Sequence, residues 1–355
     1  FQAADGIRDC LRGLVGSEMC IRDSDKRALT WALSALFSVA VVVLVIVKLD
    51  WSMVYDTFTH LNWGYLALAF VLYVINYALR TLRFQTLIYT QQVPFRQLMG
   101  VTSLYGMFLY LLPAKSGELS YPLLLNRRLQ VSLVESTATL ITARFFDFAT
   151  IALFLPLVLA ALWERLPTGM IVASLIFCGL VYVAVGGLLW FLRHREPGEE
   201  PTYHEQEARH RWLGRLILAQ RNLVKGLRLI DQRGQYLRLV FLTTGIWLCV
   251  YANFYFIVLS MGYRLSYFEV IVVSIIMVPL TLLPIQGIAN LGTHEAGWVA
   301  ALALFGEPPE IALAIAVGSH TILLVFVLLL GGLGLILQGG RHQSGYWLRP
   351  RGAND

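Results

Sequence analysis

The stretch IALAIAVGSHTILLVFVLLLGGLGLIL, residues 311–337, decides the fold class. It contains no Asp, Glu, Lys or Arg, and it exceeds the roughly 20 apolar residues that an α-helix needs to cross a bilayer. The chain as a whole has 57% hydrophobic and 14% charged residues, whereas a soluble domain has about 25% charged residues. This composition excludes a soluble enzyme, a DNA-binding module and a disulfide-stapled secreted domain, and it predicts a polytopic membrane protein.

Other apolar blocks precede this stretch, and some are short or closely bounded by Pro and Gly. Two of them end near Pro113 and Pro284, which predicts broken or re-entrant helices there. We therefore predict an all-α fold: a polytopic transmembrane helix bundle of about eight spans, plus broken or re-entrant helices, in two loosely related halves. The apolar blocks are 29–47, 63–79, 98–112, 148–162, 170–192, 239–260, 270–284, 296–305 and 311–337.

The chain divides into a leader, a membrane domain and a tail. Residues 1–24 have neither a starting Met nor an apolar signal-peptide core. They resemble translated sequencing-adapter read-through, so we expect them to be disordered. Residues 25–340 form the predicted integral membrane domain, and residues 341–355 form a predicted cytoplasmic tail. Lys and Arg concentrate in alternate loops, above all in 193–238, which by the positive-inside rule predicts that both termini are cytoplasmic.

The loop 193–238 contains apolar residues at helical spacing, from Trp212 to Ile230, interleaved with basic residues. One interpretation is a basic amphipathic helix at the inner membrane surface that binds anionic lipid headgroups. The other is a solvated linker helix whose charge only sets the orientation of the chain. The basic residues concerned are Arg209, Arg211, Arg215, Arg221, Lys225 and Arg228.

The first predicted break reads LPAKSGE, residues 112–118. Pro113 and Gly117 interrupt the helix and leave Lys115 and Glu118 near membrane depth. A charge that faces lipid there costs about 2.5–3.5 kcal/mol, so we expect the two side chains to pair or to face a wet cavity. In the functional interpretation Lys115 attracts a headgroup phosphate and Glu118 positions Lys115 or contacts an amine. The alternative is an interfacial turn with hydrated charges.

The second predicted break reads PIQGIANLGTHE, residues 284–295, and begins at Pro284. Gly287 and Gly292 permit tight turns and the close approach of a ligand. A helix that begins near Thr293 would point the positive end of its dipole at the break, which favours an anion. Thr293 is a candidate cap for this helix.

Four polar side chains of the second break are candidate ligand contacts. Gln286 and Asn290 offer neutral hydrogen bonds, and His294 beside Glu295 is a candidate proton-sensitive pair. The pair lacks the spacing of a two-His zinc site, so we predict no metal and no cofactor.

Arg144 and Asp147 lie three residues apart at the entrance of a predicted span, where they can form an ion pair on one helix face. They are either ligand contacts or a structural salt bridge. Arg80 and Arg83 flank a helix end, and we expect both to snorkel to the inner headgroups.

Two segments resemble signatures of the lysylphosphatidylglycerol synthase transmembrane-domain family of flippase-like proteins: GMFLYLLPAKSGELSYPLLLNRRLQVSLVESTATLITARFFD, residues 106–147, and LPIQGIANLGTHEAGWVAAL, residues 283–302. The resemblance implies a multi-pass protein of the bacterial inner membrane with re-entrant helices that handles lipid-linked substrates. In the multiple peptide resistance factor, a similar domain flips aminoacylated phosphatidylglycerol. The resemblance carries a role onto Pro113, Lys115, Gly117, Glu118, Arg144, Asp147, Gly287, Gly292 and Glu295.

The leading hypothesis is translocation of a phospholipid or lipid-linked substrate through a groove between the two broken helices. No GxxxxGK[ST] nucleotide-binding motif occurs, so transport would be gradient-driven or facilitated. One alternative is a small-solute secondary transporter. The other is a membrane-embedded transferase acting on a lipid or polyprenyl-phosphate headgroup, with acid–base groups among Glu118, Asp147, His294 and Glu295.

The predicted partners are the membrane and the lipid substrate, without nucleic acid. A second copy of the chain or a separate lipid-modifying enzyme is a further candidate partner. The soluble aminoacyl-transferase domain of the full synthase does not follow residue 337 in this sequence, so we do not expect this chain to be an enzyme.

Overall fold

The computed structural model describes residues 51–113, 116–194, 234–282 and 287–339. Within these ranges the chain forms helices and no β-strand, so the predicted all-α fold is confirmed. The leader 1–24, the apolar block 29–47, most of the basic loop 193–238 and the tail 341–355 lie outside the described residues.

Ten α-helices follow one another in the described ranges, together with two short 3-10 turns. The turns span Ser116–Leu119 and Ile288–Asn290. The helices are α1 Trp51–Thr59, α2 Trp63–Leu87, α3 Phe95–Leu111, α4 Ser120–Leu129, α5 Leu133–Leu162, α6 Thr168–His194, α7 Tyr236–Ser260, α8 Tyr267–Leu282, α9 Thr293–Ala303 and α10 Pro309–Gly339.

Five of the described helices, α2, α5, α6, α7 and α10, are long and apolar enough to cross a membrane. The helix α3 has 17 residues, which at about 1.5 Å per residue falls short of a hydrocarbon core of about 30 Å. The helices α8 and α9 are also short, with 16 and 11 residues. Each predicted break is therefore flanked by two short helices, and the long spans lie beyond them along the chain.

The helix α5 begins well before the apolar block 148–162 that predicted it. Its first turn is capped by Ser132, whose Oγ accepts a hydrogen bond from the backbone N–H of Glu135 at 3.2 Å. The first half of α5 carries charges that lower its hydropathy but face the protein interior, because Glu135 and Asp147 are both buried.

A hydrogen bond joins α6 to α5 at a backbone carbonyl that lacks its usual helical donor because of a proline. Pro156 lies inside α5 and has no N–H to donate to Ala152, four residues earlier. The Tyr182 hydroxyl of α6 donates to the Ala152 carbonyl at 2.7 Å instead. One interhelical hydrogen bond thus satisfies a buried backbone carbonyl that would otherwise lack a partner.

The helices α2 and α7 form the most extensive interface in the described ranges. Two buried asparagines bind across it in opposite directions. Asn76 of α2 donates to the Ile246 carbonyl at 2.8 Å, and Asn253 of α7 donates to the Ala69 carbonyl at 2.7 Å. These bonds fix the relative position of the two helices, since side-chain amides act as interhelical contacts where no water competes.

The helices α3 and α10 form the next largest interface, along a seam of glycines. A Cβ atom at Gly334 would lie 3.0 Å from the Gly100 carbonyl oxygen, and one at Gly331 would meet the Met107 side chain. Small residues therefore let the two backbones approach closely, as is common between membrane helices.

The first break lies where the sequence predicts it. The helix α3 ends at Leu111, one 3-10 turn follows Pro113, and α4 begins at Ser120. Gly117 packs directly against α3, because an added Cβ atom would overlap the Phe108 carbonyl oxygen and lie 2.5 Å from the Leu109 Cα. Gly117 is thus required by close backbone packing and not by an unusual φ angle.

The second break contains consecutive residues with left-handed backbone. Ala289 and Asn290 have φ angles of 55° and 62°, and Gly292 has a φ angle of 88°. A non-glycine residue in this region costs roughly 1–3 kcal/mol, so the turn needs contacts that hold it. Pro284 lies outside the described residues, and Gly287 precedes the 3-10 turn.

We expect Gly117→Ala to lower the thermal stability of the detergent-purified protein, because the α3 backbone cannot move aside for a methyl group. Overpacking of this kind costs about 1–3 kcal/mol. Gly179→Ala in α6 is the matched control, since nothing lies within 4 Å of the added Cβ. Equal melting temperatures for both variants in a fluorescence-based thermal shift assay would contradict the packing.

Candidate functional site

A cavity of about 500 Å³ lies between α2, α3, α5, α7 and α10. Its wall combines apolar and aromatic side chains with charged and amide groups, which is unusual inside a bundle of apolar helices. The polar side chains that line it are Tyr73, Asn76, Tyr77, Arg80, Tyr110, Glu118, Arg144, Asp147, Asn253 and Asn290.

Four charged side chains, three of which line this cavity, form a chain of ion pairs. Arg83 donates to Asp147 Oδ1 at 2.6 Å, and Arg144 Nη1 lies 3.6 Å from Asp147 Oδ2. Arg144 Nη2 also donates to Glu118 Oε1 at 3.1 Å. Each carboxylate therefore faces at least one guanidinium group, so the two acidic and two basic side chains balance in charge.

The ion pair between Arg144 and Asp147 is the one that their spacing predicts. Arg144 extends further, because its Nη2 also donates to the Tyr105 hydroxyl at 2.9 Å. The sequence predicts that Glu118 pairs with Lys115 or faces a wet cavity, and Glu118 does line the cavity. Lys115 lies outside the described residues, and the partner seen for Glu118 is Arg144.

The expectation that Arg83 snorkels to the headgroups is wrong. Its side chain is only 2% exposed and is bound to Asp147, with Thr243 Oγ1 at 3.4 Å. The hydropathy pattern places Arg83 beyond the predicted block 63–79, but α2 continues to Leu87. Arg83 consequently points into the bundle from the last third of a long helix.

Arg80 lines the cavity and is also not a snorkelling residue. Its Nε donates to Asn76 Oδ1 at 2.8 Å, and its guanidinium carbon lies 5.8 Å from the centre of the Tyr77 ring. Among the described residues no carboxylate forms a salt bridge with Arg80. This charge is therefore held by an amide and an aromatic ring, without a described acidic partner.

The aromatic wall beside Arg80 depends on a glycine of α3. A Cβ atom at Gly106 would overlap the Tyr77 hydroxyl, so a larger residue would displace the Tyr77 ring. The Tyr77 hydroxyl lies 3.3 Å from the Tyr73 hydroxyl, and both rings line the cavity. Two phenol groups thus stand next to the Arg80 guanidinium.

The second break is held by a histidine that the sequence interpretation missed. His320 of α10 places Nδ1 at 2.5 Å from Glu295 Oε1 and Nε2 at 2.8 Å from the Ala289 carbonyl oxygen. The sequence interpretation pairs Glu295 with His294, whereas His294 Nε2 lies 3.2 Å from Ser319 Oγ. Glu295, His294 and His320 are all buried.

The start of α9 is closed by its own acidic residue. The N-cap is Gly292 and not Thr293, whose hydroxyl donates to the Asn290 carbonyl at 3.0 Å. Glu295 Oε2 accepts a hydrogen bond from the Gly292 N–H at 2.7 Å. The expectation of an open anion site at this helix end is therefore wrong, since a carboxylate of the chain already occupies it.

A second cavity of about 210 Å³ adjoins the first and is lined by His294 and Thr293. Asn290 and Tyr110 line both cavities. The Tyr110 hydroxyl is buried without a hydrogen-bond partner, and its ring packs edge-on against His320 at 5.7 Å. The two breaks thus meet at neighbouring cavities with shared walls.

Several predicted site residues cannot be compared with the structure. Lys115, Pro284 and Gln286 lie outside the described residues, as does the basic set Arg209, Arg211, Arg215, Arg221, Lys225 and Arg228.

His320 could have been found from the sequence, because an ionisable residue inside an apolar span is a candidate functional group by default. In the described part of the chain, no group of three or more His, Cys, Asp or Glu side chains could hold a metal ion.

Comparison with known proteins relates the chain to one family. The sequence model described as "Lysylphosphatidylglycerol synthase TM region" matches residues 31–331, which is most of the chain. Comparisons with curated proteins and with solved structures give no match. The family match and the five long apolar helices together indicate a multi-pass membrane protein.

We expect Asp147→Asn to destabilise the protein strongly, because it leaves Arg83 buried without its carboxylate. Breaking a buried ion pair in this way costs about 3–5 kcal/mol. Asp56→Asn is the control and should leave the melting temperature unchanged, since the Asp56 side chain is 76% exposed.

The double variant Arg83→Leu/Asp147→Leu tests the pairing itself. We expect its loss of stability to be much smaller than the sum of the losses in the single variants Arg83→Leu and Asp147→Leu. The reason is that apolar residues replace both charges together, so neither charge is left buried alone. Additive losses of stability in the thermal shift assay would contradict an energetic coupling between these two side chains.

Proposed function

Because the chain belongs to the lysylphosphatidylglycerol synthase transmembrane-region family, we propose that it translocates a phospholipid or lipid-linked substrate across the bilayer. The family relates the chain to membrane lipids, and the movement of a lipid is our extension. In this proposal the headgroup occupies the larger cavity while the acyl chains stay in the surrounding lipid. The substrate therefore never has to carry its polar part through hydrocarbon.

The observation that carries this proposal is the charge of Arg80. The other arginine that lines the cavity, Arg144, is paired with Asp147 and Glu118, and Arg83 is paired with Asp147, which leaves Arg80 without a described carboxylate. An uncompensated charge inside a membrane costs about 2.5–3.5 kcal/mol, so it is expected where a ligand supplies the opposite charge. An anionic headgroup supplies that charge.

A headgroup phosphate fits the groups around Arg80. A guanidinium group presents its N–H donors in a planar fork that matches two phosphate oxygens. Arg80 uses its Nε for Asn76, so its two terminal nitrogens remain for the ligand among the described contacts. The Tyr77 hydroxyl lines the same cavity and accepts a hydrogen bond from Tyr73, so its own proton can be donated to a further phosphate oxygen.

The contacts of the acidic side chains favour translocation over the transferase alternative. A general base needs a carboxylate that is free to take a proton. Asp147 is held by two guanidinium groups, and Glu118 by one. Neither is free for acid–base chemistry at the larger cavity, whereas both are suited to position Arg144 and Arg83.

Three further statements belong to this proposal. The protein lies in the bacterial inner membrane with both termini in the cytoplasm, as its basic loops predict. The basic residues between Arg209 and Arg228 bind anionic headgroups at the inner surface. A second copy of the chain or a lipid-modifying enzyme delivers or receives the substrate.

The proposal is tested with the purified full chain in proteoliposomes that contain phosphatidylglycerol with a fluorescent headgroup. Dithionite quenches only the outer leaflet, so the quenched fraction reports translocation. We expect Arg80→Gln to slow translocation about tenfold or more, because a hydrogen bond to a charged group contributes about 1.5–3 kcal/mol. Arg96→Gln is the matched control, since Arg96 is exposed at the start of α3.

Each outcome separates the hypotheses. A wild-type rate equal to that of protein-free vesicles would overturn translocation of this lipid. An unchanged rate for Arg80→Gln would overturn the headgroup site. Conversion of the labelled lipid to a new species, detected by mass spectrometry, would favour the transferase alternative instead.

A further inference from the structure

His320 bridges two acceptors that belong to different parts of the second break. Its Nε2 lies 2.8 Å from the Ala289 carbonyl oxygen, and its Nδ1 lies 2.5 Å from Glu295 Oε1. A carbonyl oxygen can only accept, so Nε2 must carry a proton. A second proton must lie between Nδ1 and Oε1, since two lone pairs at this distance would repel each other.

The geometry therefore assigns one removable proton to the His320–Glu295 pair. With this proton the pair is neutral overall, either as imidazolium with carboxylate or as imidazole with carboxylic acid. Loss of the proton to water leaves the pair with one negative charge. The ring can then donate to Ala289 or to Glu295, but not to both, because a neutral imidazole has one N–H.

The groups that face this pair are few in the described ranges. His294, from α9 itself, lies beside His320 with 4.8 Å between the ring centres and the rings tilted to each other, and its Nε2 lies within hydrogen-bond distance of Ser319. Tyr110 of α3 packs against the His320 ring from the larger cavity. The Gly292 N–H donates to the second oxygen of Glu295. No described Lys or Arg forms an ion pair with Glu295 that could replace the proton.

The proton is linked to the shape of the substrate cavities through the turn at Ala289 and Asn290. Both residues adopt left-handed backbone, which requires contacts that hold it. The His320 bond to the Ala289 carbonyl is such a contact, and the neighbouring Asn290 lines both cavities. Deprotonation gives up this bond or the bond to Glu295, so it loosens a wall of the site.

We propose that the His320–Glu295 pair is a proton-binding site that couples lipid translocation to proton movement in the same direction. This inference rests on the proposed translocation function and adds the driving ion. The protonated pair is neutral and accepts an anionic headgroup in the adjoining cavity. Deprotonation adds a negative charge beside that headgroup and releases the turn, and both changes favour its departure.

The coupling is tested with the wild-type chain in the same proteoliposomes, under an imposed difference of one pH unit. Headgroup-labelled phosphatidylglycerol is the probe, and protein-free vesicles prepared alike give the background. Coupled transport acts in both insertion directions, so a random orientation does not cancel the effect. The label should accumulate in the leaflet that faces the alkaline side, by between about twofold and the roughly tenfold limit of one-to-one coupling.

The outcomes distinguish the two proposals. Rapid equilibration of the lipid to the same leaflet ratio with and without the gradient would overturn coupling and leave translocation standing. No translocation in either condition would overturn both. A lumenal pH dye supplies an independent readout, because coupled lipid movement must carry protons that dissipate the gradient faster than in protein-free vesicles.

Two histidine variants test whether the His320–Glu295 pair carries the coupling. We expect His320→Gln, which cannot exchange a proton, to reduce the leaflet asymmetry to the protein-free background. His60→Gln is the matched control with full asymmetry, because the His60 side chain is 77% exposed and lies far along the chain from the break. Full asymmetry in His320→Gln would overturn the assignment to this pair. Should this variant fail to fold, the wild-type comparison decides the proposal.

Discussion

The ion pair between Arg83 of α2 and Asp147 of α5 fixes the position of the first broken segment. Because both side chains are buried, each needs the other, and removal of one would leave a charge without compensation. Asp147 has a second oxygen, which Arg144 uses, and Arg144 reaches from there to Glu118 after the break. The short helix α4 and its turn are thus attached to two long helices by charge and not by apolar contact alone.

The second break solves the same physical problem with a different set of groups. An interrupted helix exposes backbone donors and acceptors that lipid cannot satisfy. Glu295 satisfies the Gly292 N–H, and His320 satisfies the Ala289 carbonyl. The first break is therefore held by permanently charged arginines, whereas the second is held by a histidine–carboxylate pair that shares a proton. This difference explains why we assign substrate binding to one and proton binding to the other.

The sequence predicted the spans well where hydropathy is uniform, and it predicted contacts only where they are local. The blocks 239–260 and 311–337 lie within α7 and α10, but α5 was found only in part because Glu135, Arg144 and Asp147 lower its hydropathy. The pair of Arg144 with Asp147 follows from spacing on one helix.

The other partners come from distant segments. Glu118, which precedes α4, meets Arg144 of α5, and His320 meets Glu295 across the α9–α10 packing. No spacing rule predicts such contacts, since they depend on how whole helices pack. For the same reason Arg80 and Arg83 were assigned to the headgroup region, although α2 carries both into the bundle.

The two largest interfaces each join one helix from before the basic loop to one from after it: α2 packs on α7, and α3 packs on α10. The halves that the sequence suggested are consequently interlocked. A rigid rocking of one half against the other would break the hydrogen bonds of Asn76 and Asn253 to the facing backbone and would open the glycine seam. A motion that opens the cavities at low energetic cost therefore keeps these two interfaces intact.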